Sequence, residues 1–182
     1  MGTVTTLPRS RPLTRRDLDA MPEDGHRYEL IDGALIVTPA PSAAHQTVVV
    51  ELVVLLRESC PPDLKVFVAP FDVALADDTI LQPDLLVARR RDLTERDLSA
   101  APVLAVEVLS PSTRRIDLTL KRSRFEAAGC SSYWVVDPQE PSLTAWELVG
   151  DAYQQAGHVV GDAIFHAERP YLVQVKPADL VR

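Results

Sequence analysis

Apolar segments of strand length and amphipathic segments of helical length alternate along the first 137 residues of the chain. Strands bury side chains with a period of two and helices with a period of 3.6, so spacing and run length separate them. The pattern predicts strands at 28–31, 34–38, 65–69, 72–76, 83–88, 103–109 and 133–136, and helices at about 14–21, 42–59 and 117–128. Three more polar strands are predicted at 143–149, 152–160 and 171–175. This order predicts an α/β fold with a central mixed β-sheet flanked by helices and a strand-rich C-terminal part.

Turn-forming residues mark several boundaries between these elements. Asp32-Gly33 separates two short strands, and this dipeptide favours the type I′ turn of a tight hairpin. Thr14 and Asp17 resemble an acidic variant of a capping box at the start of the first helix. Gly129 follows the third helix, where a glycine often ends a helix in a left-handed conformation.

Length, charge and cysteine content limit the class of protein. The 182 residues fit one domain, predicted at 14–182 after a flexible basic tail at 1–13. No apolar stretch is long enough to span a bilayer, so no membrane partner is expected. The formal net charge of −7 is not typical of a nucleic-acid-binding protein. Cys60 and Cys130 are the only cysteines, which favours a reducing, cytoplasmic location and buried thiols.

Several common catalytic motifs are absent from the sequence. It contains no GxSxG, no GxxxxGKS/T, no GxGxxG and no HExxH, so no organic cofactor is expected. The histidines lack the spacing of a metal site, and each is interpreted as a surface or packed side chain; they are His26, His45, His158 and His166. Serine hydrolases, nucleotide-binding enzymes and zinc peptidases are therefore disfavoured.

Charged residues in apolar surroundings indicate a different chemistry. Asp84 begins an apolar strand, and Glu107 lies inside another, where a carboxylate is costly unless a cation, a donor or water compensates it. Asp117, Lys121 and Arg124 share one face of the following helix. Two carboxylates at neighbouring strand ends suit Mg²⁺ or Mn²⁺, and a nearby lysine can orient or deprotonate an attacking water. The combination favours phosphodiester hydrolysis.

Purely structural roles remain open for the same residues. Asp84 is also explained as a strand-start or turn residue, and Asp117 as a plain helix N-cap with Lys121 as its ion-pair partner. Glu107 is the hardest of these residues to explain structurally, because its neighbours on both sides are apolar.

Five segments resemble the Uma-type family of "putative restriction endonucleases", a branch of the PD-(D/E)XK nuclease superfamily. They are RYELIDG (27–33), PAPSAAHQ (39–46), QPDLLV (82–87), VEVLSPSTRRIDLTLK (106–121) and YWVVDP (133–138). The resemblance covers about residues 14–150 in the right order. It implies a restriction-endonuclease-like core, hydrolysis of DNA phosphodiester bonds, and Mg²⁺ or Mn²⁺ as cofactor.

The resemblance also assigns roles to individual residues. Asp84 matches the aspartate of the PD element and Glu107 the acid of the (D/E)XK element. Both are expected to bind the metal, together with the Val108 carbonyl. Leu109 stands where the superfamily usually has its lysine, and Lys121 matches a lysine relocated to the following helix. Glu29 matches an acidic position that completes the catalytic site.

Basic residues between Glu107 and Arg124 suggest a surface for the substrate. A basic strip beside a metal site suits a phosphate backbone, and a solvated helix face with ordinary salt bridges is the alternative. The candidate substrate-binding residues are Arg114, Arg115, Asp117 and Arg124. Arg89-Arg90-Arg91 is interpreted as a charged loop rather than a second contact surface.

The leading hypothesis is therefore a Mg²⁺-dependent DNA endonuclease, expected to form a homodimer because two strands require two cuts. Two alternatives stay open: a non-catalytic binding or assembly module on the same fold, and a metal-dependent phosphohydrolase acting on RNA or small phosphate esters. The metal-site hypothesis also predicts that Asp84→Ala raises thermal stability, because the substitution removes a repelling charge.

Overall fold

The N-terminal segment is anchored to the domain before the first helix begins. The structure, a computed structural model, describes residue 8 and residues 10–182, so the predicted tail at 1–7 and 9 lies outside the described residues. Leu13 is buried, and its N–H donates to the carbonyl oxygen of Gly33 at 2.9 Å. Arg11 forms an ion pair with Asp17 at 2.7 Å. The packed domain therefore includes residues 11–13, which the sequence placed in the tail.

Helices and strands alternate in the first part of the chain, and strands dominate the second. The elements are α1 (Arg15–Leu18), β1 (Arg27–Ile31), β2 (Ala34–Thr38), α2 (Ala43–Glu58), β3 (Leu64–Val68), β4 (Val73–Ala76), β5 (Thr79–Leu81), β6 (Leu85–Arg89), β7 (Leu104–Val108), α3 (Arg114–Ile116), a π-helical turn (Asp117–Lys121), α4 (Arg122–Ala127), β8 (Ser132–Asp137), β9 (Ser142–Val149), β10 (Ala152–Val160), β11 (Phe165–Ala167) and β12 (Val173–Val175). Short 3₁₀ turns lie at Arg90–Asp92 and Pro177–Asp179.

A six-stranded mixed sheet forms the centre of the fold. Its strand order is β10-β9-β8-β7-β6-β3. Strands β7 and β8 run parallel, and the other neighbouring pairs of this sheet run antiparallel. A four-stranded antiparallel sheet in the order β2-β1-β5-β4 and the β11–β12 pair complete the described strands. The predicted mixed α/β architecture is confirmed.

The two faces of the central sheet pack against different layers. One face meets α2 and the β11–β12 pair, with Leu52 and Trp134 in that core. The other face meets α4 and the four-stranded sheet, with Phe125 and Tyr133 in that core. Side chains alternate between the two faces along β7. The strand thus directs Glu107 toward the layer that contains α4 and β1.

The turn between β1 and β2 has the predicted type I′ geometry. Asp32 and Gly33 have φ angles of 52° and 74°, and the flanking pair Ile31↔Ala34 closes the hairpin. A Cβ atom on Gly33 would lie 2.4 Å from the Cβ of Pro12. Gly33 is therefore required both by its backbone conformation and by the close passage of the N-terminal segment.

The helix after β7 begins earlier than predicted and is interrupted by the π-helical turn. Thr113 is the N-cap of α3, so Asp117 is not the first-turn cap that the sequence allowed. The Tyr133 hydroxyl donates to the carbonyl oxygen of Asp117 at 2.8 Å. Asp117 and Lys121 are both buried, and Gly129 follows α4 with a φ of 82°. The prediction of a terminal glycine is confirmed, while the predicted helix start at Asp117 is wrong.

Short strands were the elements that the sequence pattern missed. Strands β5 and β11 have only three residues each, too few to show a period. The predicted strand at 171–175 is observed only at Val173–Val175. Cys130 is buried as expected, and Cys60 is only partly buried. Among the described residues, no helix has the length and apolar character needed to cross a membrane.

Candidate active site

Asp84 lies immediately before β6 and is held by three hydrogen-bond donors. Its Oδ1 accepts from Arg27 Nη1 at 2.8 Å. Its Oδ2 accepts from the backbone N–H of Val108 at 2.8 Å and lies 3.0 Å from His45 Nε2. The carboxylate is 4% exposed. The Val108 contact fixes the start of β6 against the end of β7, and so brings Asp84 to the strand that carries Glu107.

These donors keep Asp84 ionised. Burial by itself raises the pKa of a carboxyl group. The hydrogen bond to His45 and the positive charges of Arg27 and Lys121 outweigh burial and hold the pKa of Asp84 well below its usual range. Asp84 is therefore a buried carboxylate whose charge is compensated in the folded chain.

Lys121 is the centre of a second cluster, behind Asp84. Its Nζ lies 2.9 Å from Glu29 Oε1, 3.1 Å from Glu107 Oε1 and 3.7 Å from Asp117 Oδ1. The side chain is 1% exposed. Burial would lower the pKa of the Lys121 ammonium, but the three carboxylates outweigh burial and raise that pKa above its usual value. Lys121 is consequently a permanent cation here.

Glu107 is the least compensated carboxyl group of the site. It is fully buried in β7, and neither of its oxygens accepts a hydrogen bond from the residues that the structure describes, although Oε1 is close enough to Lys121 for an ion pair. Burial raises the pKa of Glu107 well above its usual value, Lys121 counters part of that effect, and the charges of Asp117, Asp84 and Glu29 add to it. The ionised form of Glu107 is therefore costly in the chain without ligands.

The buried cluster carries more acids than bases. Its acids are Glu29, Asp84, Glu107 and Asp117, and its permanent cations are Arg27 and Lys121. Burial likewise raises the pKa of Asp117 to about 6, with Lys121 acting in the opposite direction. Glu29 Oε1 also accepts from the backbone N–H of Gln82 at 2.7 Å, which links β1 to the segment before Asp84. A bound cation would offset this excess of negative charge.

The residues present fit a divalent cation in chemistry but not as a preformed cage. Carboxylate and carbonyl oxygens are the ligands that Mg²⁺ and Mn²⁺ prefer. The unpartnered oxygens of Glu107 are suitable donors of this kind. Among the described residues, however, no three His, Cys, Asp or Glu side chains are arranged to hold a metal ion. Asp84, Glu107 and the Val108 carbonyl remain the candidate ligand set.

A cleft of about 850 Å³ opens onto one side of this cluster. Asp84, Arg27 and His45 line it, together with the turn at 110–113 and the loop at 39–42. Glu29, Glu107, Asp117 and Lys121 do not border the cleft, and each is at most 2% exposed. A ligand entering from solvent therefore meets Asp84 first, with the lysine cluster behind it.

The predicted substrate-binding residues are not brought together on one surface. Arg114 forms an ion pair with Asp137, and Arg124 forms one with Asp32 of the hairpin turn. Arg115 is exposed at the start of the helix. Asp117 is buried beside Lys121, where it cannot touch a substrate in the cleft. The basic residues between Glu107 and Arg124 therefore lie in different environments: salt bridges, the buried cluster, the exposed helix start and, for Arg122, the Trp146 ring.

Arg27 and His45 are functional candidates that the sequence analysis did not identify. Both contact Asp84, although they lie 57 and 39 residues away from it in the chain. His45 is in the first turn of α2, where the Ser42 side chain accepts a hydrogen bond from its backbone N–H. Arg27 lies in RYELIDG and His45 in PAPSAAHQ, two of the segments that resemble the family.

The fold is that of a nuclease-like protein. A family profile described as "Putative restriction endonuclease" matches residues 15–173. The chain therefore belongs to the Uma2 family. It is also similar to a crystal structure described as a "putative nuclease" from Anabaena variabilis, with 20% identity, a TM-score of 0.72, and coverage of 93% of this chain and 98% of that one. A search of curated proteins gave no match.

Proposed function

We propose that the chain is a divalent-metal-dependent nuclease that hydrolyses DNA phosphodiester bonds at the cluster around Asp84 and Lys121. The excess of buried carboxylates beside an open cleft carries this proposal. Structural ion pairs are normally balanced, because a buried unpaired charge is costly. An excess of buried acids behind a cleft that one of them, Asp84, borders is expected where a cation binds during function.

Asp84, Glu107 and the Val108 carbonyl would hold the ion. When bound, such an ion lowers the pKa of a water molecule and stabilises negative charge on a phosphate oxygen. The hydrogen bonds from Arg27, His45 and the Val108 N–H fix the orientation of the Asp84 carboxylate. Because burial disfavours the ionised form of Glu107, a bound ion would favour ionisation of this carboxyl group.

Lys121 acts in this scheme as a fixed positive charge. Its raised pKa argues against the base role that the sequence allowed, since a lysine that keeps its proton cannot accept another. The ammonium instead holds Glu107 and Glu29 in place and offsets negative charge that develops on the phosphate. Glu29 is a positioning residue, because its carboxylate contacts Lys121 and lies behind the cleft.

The test compares purified wild type, Glu107→Gln and Glu95→Gln on supercoiled DNA with Mg²⁺ or Mn²⁺. Glu95 is exposed in a loop, so it provides the same substitution outside the site. Wild type and Glu95→Gln are expected to nick or cut the DNA, and Glu107→Gln is expected to be inactive. Equal cleavage by wild type and Glu107→Gln would contradict the proposal, and so would metal-independent cleavage. Parallel assays on RNA and small phosphate esters distinguish a broader phosphohydrolase.

One observation favours a non-catalytic module as the second candidate. Asp84 is already satisfied by Arg27, His45 and Val108, and no three-ligand cage exists among the described residues. Titration calorimetry with Mn²⁺ separates the two candidates. Binding that is lost in Glu107→Gln supports the nuclease, and no Mn²⁺ binding together with no cleavage supports the module.

A further inference from the structure

A second groove, of about 670 Å³, follows the edge strand β3 of the central sheet. Its walls are the C-terminal end of α2, the loop at 60–62, β3 itself, Phe71 and the start of the 3₁₀ turn at Arg90. Every ionisable side chain with a formal charge that lines it is basic: Arg57, Lys65 and Arg90. This is unusual in a chain with a net charge of −7.

The three basic side chains are not neutralised by acids within the described part of the chain. None of them forms an ion pair there, and Arg90 Nε donates instead to the Pro62 carbonyl oxygen at 2.8 Å. Glu58 and Asp63, the neighbouring acids in sequence, do not line the groove. A concave surface with unpaired positive charges favours a polyanion.

Aromatic rings form part of the same surface. Phe67 and Phe71 are stacked with ring centroids 4.4 Å apart and an interplanar angle of 5°. Lys65 Nζ lies 4.9 Å from the centroid of the Phe67 ring. Basic groups that follow a backbone, with aromatic rings beside them, are typical of sites for single-stranded nucleic acid.

The groove adjoins the cleft of the candidate active site. Val68 and Pro70 border both the groove and the cleft that contains Asp84. Val68 pairs with Leu85 across the sheet, and the N–H of Ala69 donates to the carbonyl oxygen of Asp84 at 3.1 Å. A chain of phosphates that lies along β3 would therefore reach the cleft beside Asp84.

We propose that this groove binds a single strand of the nucleic-acid substrate, with its phosphates beside Arg57, Lys65 and Arg90. The inference rests on the proposed nuclease function, because it treats Asp84 as the place where the strand is cut. In this proposal Arg90 contacts the substrate, whereas the sequence predicted that Arg89-Arg90-Arg91 is a charged loop without such a contact.

The experiment measures fluorescence anisotropy of a labelled single-stranded oligonucleotide in EDTA, so that binding is separated from cleavage. The Arg57→Glu/Lys65→Glu variant is compared with Arg91→Glu/Arg182→Glu, which makes the same change of net charge outside the groove. Each phosphate contact contributes about 0.7 to the slope of log affinity against log salt, so losing two contacts should reduce the slope by about 1.4. The groove variant should bind at least about tenfold more weakly at low salt, and the control within about threefold of wild type.

Several results would overturn the inference. Affinity for the oligonucleotide could fall equally in both double variants, or not fall in the groove variant. Wild type could also fail to bind the oligonucleotide at low salt, or bind duplex DNA more tightly than the single strand. Thermal melts of both variants verify that they fold. Hydrolysis of bis(p-nitrophenyl) phosphate with Mn²⁺, a diester too small to occupy the groove, should be unchanged in the groove variant. If wild type hydrolyses no substrate, the proposed function fails while the binding result still tests the groove.

Discussion

Asp84→Asn and Glu107→Gln are expected to change stability in opposite directions, although both remove one buried carboxylate. Asp84→Asn leaves the partly buried Arg27 without its charged partner, and it replaces one accepting oxygen by an amide group that cannot accept from Val108 or His45. Breaking a buried ion pair costs about 3–5 kcal/mol, and because Arg27 keeps Glu29 at 3.6 Å, we expect a loss near the lower end, about 3 kcal/mol. Glu107→Gln removes a carboxyl group that is costly to ionise, while Lys121 keeps Glu29 and Asp117. A gain of about 1–2 kcal/mol is therefore expected.

The pH dependence gives each substitution its own signature. The folded pKa of Glu107 is raised, so wild type loses stability relative to Glu107→Gln as the pH rises above about 4.5, the ordinary value. The folded pKa of Asp84 is lowered, so its contribution is fully present above about 3.8 and is lost as the pH falls further. Urea unfolding in EDTA, followed by circular dichroism from acid to neutral pH, measures both effects. A Glu107→Gln protein less stable than wild type at neutral pH would refute the reasoning.

Three further predictions follow from the site and its supports. Mn²⁺ affinity should rise with pH, because ion binding favours the ionised form of Glu107; calorimetry at several pH values measures it, and a pH-independent affinity contradicts the assignment. Tyr133→Phe should cost about 1–3 kcal/mol and also slow cleavage, because it frees the carbonyl of the π-helical turn. Tyr171→Phe is the control, because it loses a hydrogen bond to Leu56 in the other core and should reduce stability without slowing cleavage. Equal cleavage rates in Tyr133→Phe and Tyr171→Phe would contradict this prediction. Gly33→Ala should lower thermal stability more than Gly150→Ala. Both substitutions strain a positive φ by about 1–2 kcal/mol, but only the new Cβ at position 33 would contact Pro12. Similar losses in thermal melts of the two variants would contradict the close packing of Gly33 against Pro12.

The sequence was most informative where local context determined structure. Asp32-Gly33 predicted the hairpin because a type I′ turn depends mainly on its own two residues. Glu107 was a candidate site residue because its neighbours in the strand are apolar, and the structure places it in a fully buried position. The short strands β5 and β11 were missed because three residues carry no measurable period.

Long-range contacts account for what the sequence could not predict. The donors to Asp84 come from β1 and α2, and no local pattern indicates that Arg27 and His45 meet it. This omission also explains the reversed expectation for Asp84→Ala. Seen as an isolated acid, Asp84 was expected to repel Glu107, whereas the structure surrounds it with donors that make its removal costly.

The hairpin turn at Asp32-Gly33 has a consequence for the electrostatics of the site. Arg27 and Glu29 project from the same face of β1 because they are two residues apart, and the tight turn fixes the register in which they do so. A shift of one residue in the register of β1 would reverse which side chains face the cluster, so that Tyr28 and Leu30 would face Lys121 instead of Arg27 and Glu29. Two turn residues, Asp32 and Gly33, therefore help to determine how much charge the cluster contains. An insertion in this turn could inactivate the protein while leaving every acid and base of the site in the sequence.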